Sequence, residues 1–299
     1  MNPRRYRNAV PPGGTATDPL YDRVAQRSAG AVITGYSTSF AWACRLLAEP
    51  VRTQVRSIYA LVRVADELVD GPAAAATEHA ADLLDELEEQ TLDAVRSGHS
   101  TNLVTHAFAL TARSVGIGPE LITPFFASMR TDLRTTGHDQ RSFDEYVYGS
   151  AEVVGLMCLR AFLAAPDAAT APSYDALSPG ARSLGAAFQK VNFLRDLGAD
   201  LDLRGRSYFP GLDVDRLTPE QRDALVDDID ADLARAQRAI AGLPRSSRRA
   251  VTAAHRIFAA LSHRLRALPP GELRRTRVRV PAPEKALIIA RAAVLGPRR

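Results

Sequence analysis

Apolar residues in this chain recur at intervals of three and four, and an alternating strand pattern is almost missing. The spacing predicts a helix from Tyr21 to Thr34, closed by Gly35. A second follows over Ala41 to Ala48, behind the capping hydroxyls of Ser37, Thr38 and Ser39. Pro50 suits the first turn of a third, Val51 to Asp70, roughly 30 Å long at 1.5 Å per residue, which Gly71-Pro72 stops. An acidic amphipathic helix is expected from Thr77 to Arg96, with Leu83, Leu84, Leu87 and Leu92 inside, then helices over Leu103 to Val115 and Pro119 to Leu133. Phe143 to Leu163 is apolar on most sides, as the middle of a bundle requires. Another helix begins between Leu177 and Ala181 and ends by Leu203. Pro219 opens one with an acidic outer face, and Arg248 to Leu268 reads as a basic amphipathic helix broken by Pro269-Pro270. Arg277-Val278-Arg279-Val280 alternates like a short strand without an evident partner. No repeat of about 20 to 50 residues is present. The expectation is one all-α domain over residues 19 to 296.

Composition narrows the classes of function. With 299 residues, 46% hydrophobic and 24% charged, the chain can bury a sizeable core. The net charge of +4 spreads over both termini instead of forming a stripe, so no nucleic acid is expected as a partner. Cys44 and Cys158 are too few for a disulfide framework or a zinc site and read as small buried hydrophobes in a reducing cytosol. Residues 1 to 18, rich in Arg, Pro and Gly with no apolar run, read as a disordered tail and not as a secretory signal. No segment is read as the roughly 18 to 20 uninterrupted apolar residues of a membrane span. Ala286 to Leu295 is short and broken by Arg291. The expected location is cytoplasmic, with the basic, partly apolar C-terminus as a peripheral contact at the inner membrane face. Gly116-Ile117-Gly118 lacks the third glycine of a dinucleotide fingerprint and follows no strand. The six histidines are scattered and read as structural.

Two stretches carry the chemistry. In Gln189 to Asp200, the residues Asn192, Asp196 and Asp200 recur every four positions, which lines an amide and two carboxylates along one helical face. Asp66 and Asp70 repeat the spacing upstream, with Arg63 three residues before Asp66 and Tyr59 four before Arg63. The bland account of the first row is a surface ion pair between Arg63 and Asp66, worth a few tenths of a kcal/mol. Against it stand the neighbours Ile58, Leu61, Val62, Val64, Ala65, Leu68 and Val69, which would leave the carboxylates partly buried and in need of cations. Two such rows meeting across one cavity would repel unless metal ions joined them. Mg²⁺, with Mn²⁺ as a substitute, takes one or two carboxylates from the protein and completes its shell with water and phosphate oxygens. Arg63, Arg195 and Arg206 would then clamp a diphosphate in bidentate fashion.

In this order the residues resemble the squalene and phytoene synthases, which join two prenyl diphosphates head to head. The likeness covers about residues 21 to 290. Ser37-Thr38-Ser39-Phe40 is similar to the family's phosphate-contacting opening, and Tyr59 to Arg63 with Asp66 and Asp70 to its first aspartate-rich motif. Tyr146-Val147-Tyr148-Gly149-Ser150-Ala151-Glu152-Val153-Val154-Gly155 resembles the mid-chain signature. Leu184-Gly185 through Asp200 resembles the second aspartate-rich motif, and Arg206-Ser207-Tyr208-Phe209-Pro210 the loop after it. The nearest likeness is to actinobacterial carotenoid enzymes. Val62, Val147 and Glu152 depart from the commonest residues, and Phe258 stands where the family has a tyrosine.

The resemblance implies an isoprenoid-synthase helical bundle with a central cavity. Two geranylgeranyl diphosphates would condense there to phytoene through a cyclopropylcarbinyl diphosphate, the first committed step of carotenoid synthesis. It implies metal ligands Asp66, Asp70, Asn192, Asp196 and Asp200, and diphosphate contacts from Ser37, Ser39, Arg63, Gln189, Arg195, Arg206, Tyr208 and Arg277, with Arg279 as the alternative to Arg277. Tyr59, Tyr146 and Tyr208 would orient diphosphate or steer proton loss. No NADPH is expected. The alternatives are a squalene or dehydrosqualene synthase using farnesyl diphosphate, and a lipid-binding or assembly protein with the same fold. Neighbouring enzymes of the carotenoid pathway are a further expected contact.

Overall fold

The computed structural model describes residues 18–71 and 79–295. The expected disordered tail lies outside them except for Asp18, as does the start of the acidic helix at Thr77. Among the described residues every regular element is helical. The first is α1 (Pro19–Tyr36), which Asp18 caps by accepting from the amides of Leu20 and Tyr21. α2 (Thr38–Cys44) begins three residues before the expected position, because the Ser37 side chain accepts the Phe40 amide at 3.1 Å and so sets the cap early. α3 (Val51–Asp70) has the expected limits. α4 (Ala80–Ser97) turns Leu84 and Leu87 inward, but Leu83 is largely exposed, contrary to expectation, since it falls one position off the apolar stripe. α5 (Leu103–Val115) and α6 (Pro119–Arg134) follow.

The central apolar segment runs unbroken from Gln140 to Leu163 as α7 (Gln140–Val147), a π-helical turn (Tyr148–Glu152) and α8 (Val153–Leu163). By length and composition alone this helix could cross a membrane, which the sequence reading did not anticipate. Its apolar surface packs on neighbouring helices instead: Phe143, Tyr146, Val147, Val153, Met157, Leu159 and Phe162 are all buried.

α9 (Tyr174–Arg204) is 31 residues long and starts earlier than the apolar period implies, because Ser173 caps the Ala176 amide. α10 (Pro219–Ile240), α11 (Arg245–Ala267), the single turn α12 (Pro270–Leu273) and α13 (Ala282–Leu295) complete the order. Arg277 to Val280 is not a strand. It is an extended segment whose alternation has another cause: Val278 and Val280 are buried in the core, while Arg277 and Arg279 point outward.

The two largest of the four buried apolar clusters among the described residues divide most of the helices between them. One joins α3, α4, α5, α6 and α8 around Phe108, Phe125, Phe126 and Met157. The other joins α7, α9, α10 and α11 around Phe193, Leu194, Ile229 and Phe258. α9 fits closely against α8 and the π turn because glycines meet backbone. A Cβ on Gly155 would lie 2.5 Å from the Ala181 carbonyl oxygen, and one on Gly185 would lie 2.4 Å from that of Ala151.

Candidate active site

On α3, helical spacing alone brings Arg63 onto Asp66 and Glu67, one turn ahead, and its guanidinium also lies 4.4 Å from the centre of the Tyr36 ring. The Asp66 and Asp70 side chains are 35% and 24% exposed, so this row borders solvent and is accessible to a ligand. The bland ion pair is therefore present, extended by Glu67. Tyr59, one turn earlier, hydrogen-bonds Ser37, and burial pushes its hydroxyl above the ordinary phenol range. Ser37 itself is committed to capping α2. The side chain of Ser39 lies outside the described residues.

On α9, Asp196 sits between two arginines. Arg195 reaches it with Nε at 3.1 Å, and Arg277, arriving from the extended segment, with Nε at 2.8 Å. Asn192 is half-buried and Asp200 buried on the same helix. Gln189 reaches Ser150 of the π turn at 3.3 Å, so it ties α9 to the mid-chain signature. Lys190, on the opposite side, pairs with Asp228 and Asp232 of α10 and belongs to the packing. Around Asp196 the positive charge is in excess. Burial, then Arg279 and Arg195, lower the pKa of Lys285, so these cations crowd one another above the second row.

What brings the rows together is the end of α9. Gly205 takes a left-handed φ of 64°, its amide bonds to the Leu201 carbonyl at 3.0 Å, and the Arg206 amide bonds to the Asp200 carbonyl at 3.1 Å. This reversal stops the helix and throws Arg206 back across the bundle. There it ion-pairs with Asp70 and donates to the Val69 carbonyl at 3.1 Å. The next residues are pinned as well, with the Ser207 amide on the Thr136 carbonyl at 2.8 Å. Tyr208 is thereby brought to Asp132 of α6, to which its hydroxyl donates at 3.2 Å, and the Tyr146 hydroxyl donates to the other oxygen of the same carboxyl at 2.6 Å. Arg206 Nη1 lies 3.7 Å from Asp132 Oδ1. Burial raises the Asp132 pKa to about 7, although Tyr146, Arg206 and Tyr208 all pull it down. Burial and the Asp132 charge likewise raise the hydroxyls of Tyr146 and Tyr208.

Beside the polar site lies an aromatic wall. Phe188 and Phe258 stack with ring centres 3.8 Å apart, and Phe40 touches both and Tyr59 at about 6 Å. The arrangement is a row of acids, a second row, a surplus of guanidinium groups and an apolar wall. It can hold a polyanion at one end and protect a reactive hydrocarbon at the other.

A model of the squalene/phytoene synthases matches residues 33–284. The chain belongs to the squalene/phytoene synthase family. Phytoene synthase 3 of Zea mays is 32% identical over 191 residues, which are 63% of this chain and 43% of that protein. A 15-cis-phytoene synthase of Synechocystis sp. is 31% identical, covering 65% of this chain and 58% of its own length, and a phytoene synthase of Arthrospira platensis is 34% identical, covering 65% and 64%. The chain thus spans only part of the length of these relatives. Among solved structures, a dehydrosqualene synthase superposes with a TM-score of 0.74 at 19% identity, over 91% of this chain and 96% of that one. A squalene synthase from Alicyclobacillus acidocaldarius superposes with 0.71 at 20% identity, over 84% and 96%. At such identities the superpositions establish the isoprenoid-synthase fold of the family.

Within this family frame the expected residues fall into three groups. Asp66, Asp70, Arg63, Arg206 and Tyr59 gather at α3, while Asn192, Asp196, Asp200, Arg195 and Arg277 gather at α9. Tyr146 and Tyr208 do reach the same place, but their hydroxyl hydrogens go to Asp132. Of the departures from the family pattern, Glu152 accepts from Arg182 of α9 at 2.6 Å. Asp132 and Lys285 escaped the sequence reading. The signal for Asp132 was an acid on the inward stripe of α6, in line with Phe125 and Met129. Lys285 had no such signal, because its neighbours come from other segments.

Proposed function

We propose that this chain condenses two geranylgeranyl diphosphates head to head, through a cyclopropylcarbinyl diphosphate, to phytoene. The observation that carries the reading is the junction made by Arg206, which joins the end of the second aspartate row to Asp70 of the first. The similarity to phytoene synthases of plants and cyanobacteria supports the choice of substrate.

The donor set fits magnesium. All the ligands on offer are oxygens, and a two-carboxylate row leaves the remaining positions to water and phosphate. Asp66, Asp70, Asn192, Asp196 and Asp200 would hold Mg²⁺, which when bound neutralises the diphosphate as its allylic carbon–oxygen bond breaks. The rest is done by the chain itself. Arg63, Arg195 and Arg277 exchange their present carboxylate partners for phosphate oxygens, with Arg279 and Lys285 adding charge. Arg206 stays anchored by the Val69 carbonyl and so fixes the distance between the rows. Phe40, Phe188 and Phe258 exclude water from the allylic cation and present ring faces to it. No step uses a nicotinamide, and no NADPH is required. The proposed location is the cytoplasm, with the outer face of α13, which exposes Leu287 and Val294, resting on the inner membrane surface where the product is delivered to the next carotenoid enzyme.

Purified protein with Mg²⁺ is incubated separately with geranylgeranyl and farnesyl diphosphates, with and without NADPH. A C40 hydrocarbon independent of NADPH is expected. Efficient C30 product with no C40 product would overturn the substrate assignment in favour of a squalene or dehydrosqualene synthase. No product from either would favour a binding or assembly role.

A further inference from the structure

Asp132 is a buried acid on α6 that lies in neither aspartate row, and its environment is specific. Its two oxygens accept from two different tyrosines, Tyr146 of α7 at 2.6 Å and Tyr208 of the loop after α9 at 3.2 Å. Tyr208 in turn accepts from Arg206 Nη1 at 3.4 Å, and the same guanidinium is paired with Asp70. His138 lies over both tyrosine rings. Two consecutive helices and a loop 76 residues further along the chain are thus joined through one carboxyl.

We infer that Asp132 is a positioning residue that takes the hydroxyl hydrogens of both Tyr146 and Tyr208, leaving the two phenol oxygens as acceptors beside Arg206. A phenol has one hydrogen to give. Once it is committed to Asp132, neither tyrosine can donate to a diphosphate, and each presents lone pairs, the negative end of its dipole, to whatever approaches. That polarity suits a cation, whether the Arg206 guanidinium or an allylic carbocation, and opposes a phosphate oxygen. Asp132 thereby separates the site into guanidinium donors that hold the leaving group and phenol acceptors that stabilise positive charge. The catalytic part of this inference rests on the phytoene synthase reading, whereas the direction of the hydrogen bonds does not.

The test has two arms. In the first, Asp132→Asn, the pair Tyr146→Phe with Tyr208→Phe, and the triple variant are assayed with geranylgeranyl diphosphate at about pH 8. Asp132→Asn should lower kcat by about 100-fold and leave KM within about threefold, since Asn can accept from one hydroxyl only and turns a donor toward the other. The triple variant should be no slower than the tyrosine pair, because no hydroxyl remains to be aligned. If Asp132→Asn costs as much without the tyrosines as with them, or costs nothing, the inference fails. In the second arm, which needs no turnover, proton NMR of the wild-type protein should show two slowly exchanging hydroxyl resonances. One should disappear in Tyr146→Phe and the other in Tyr208→Phe. Their absence from the folded wild type overturns the inference even if Asp132→Asn cannot be purified. An inactive wild type that shows both resonances overturns the enzymatic reading alone.

Discussion

On α3 the carboxylate of Asp66 meets an arginine three residues earlier in the same helix, whereas on α9 that of Asp196 meets Arg277, 81 residues further along the chain. The spacing of acids is the same in both rows. In the first row Asp66 is neutralised by its own helix, while Asp70 takes Arg206 from beyond the end of α9. In the second, Asp196 has Arg195 beside it on α9 and gains Arg277 only when the segment after α12 lies back over α9, where a Cβ on Gly198 would collide with the Arg274 carbonyl oxygen at 1.8 Å. The Arg63–Asp66 pair is thus local, whereas Arg206–Asp70 and Arg277–Asp196 are assembled. The assembled pairs should be more sensitive to distant change and the local pair more tolerant of it.

The largest effect is expected from removing charge at an assembled pair. Asp196→Asn keeps the shape but removes the counter-charge shared by Arg195 and Arg277 and one metal ligand. Turnover should fall by at least about 1,000-fold, while the circular dichroism melt stays nearly unchanged because the side chain is not part of the core. Turnover within tenfold of wild type would show that α9 does not bind the metal.

The two arginines give the next contrast. Arg206→Met removes the cation between Asp70 and the buried Asp132 and frees the Val69 carbonyl, so unfolding in urea should become easier by about 3 kcal/mol. Arg63→Met removes a half-exposed pair on a single helix and should cost less than about 1 kcal/mol. Equal losses would erase the distinction between the junction and the local pair.

Acidity sharpens the comparison further. With its carboxyl raised from 3.8 to about 7, Asp132 binds more proton in the folded than in the unfolded protein between those two values. Stability of the metal-free protein should therefore be greatest, as far as this group is concerned, below the unfolded pKa, and should decline as pH rises toward about 7. The groups facing it are Tyr146, Tyr208, Arg206 and, beyond Arg206, Asp70. Asp132→Asn should flatten that slope. A slope unchanged in the variant would mean that the decline belongs to other groups.

The helices and both rows were legible in the sequence because each depends on spacing within about one turn. The position of Arg206 was half legible. Arg204-Gly205-Arg206 after a long helix signals a left-handed cap, but the direction in which the reversed chain points depends on the pinning of Ser207 to Thr136. That the hydroxyls of Tyr146 and Tyr208 meet on one acid was not legible, because the inward stripe of α6 marks Asp132 as buried without showing which side chains from other segments reach it. The apparent strand at Arg277 to Val280 misled for a related reason: alternation reports which side chains are buried, and an unpaired segment lying on a helical core alternates as well as a strand does.

The smallest expected effect tests the claim of locality directly. Glu67 is the second partner of Arg63, about one third exposed, and has no place in the expected metal set. Glu67→Gln removes one charge from the pair and leaves a side chain that can still accept a hydrogen bond, so urea unfolding should change by no more than about 0.5 kcal/mol. Arg63 keeps Asp66, and turnover should stay within about twofold. A larger loss of activity with unchanged stability would mean that Glu67 holds Arg63 in the orientation the diphosphate needs. The first row would then depend on three residues of one helix, Arg63, Asp66 and Glu67, where the sequence spacing pointed to two.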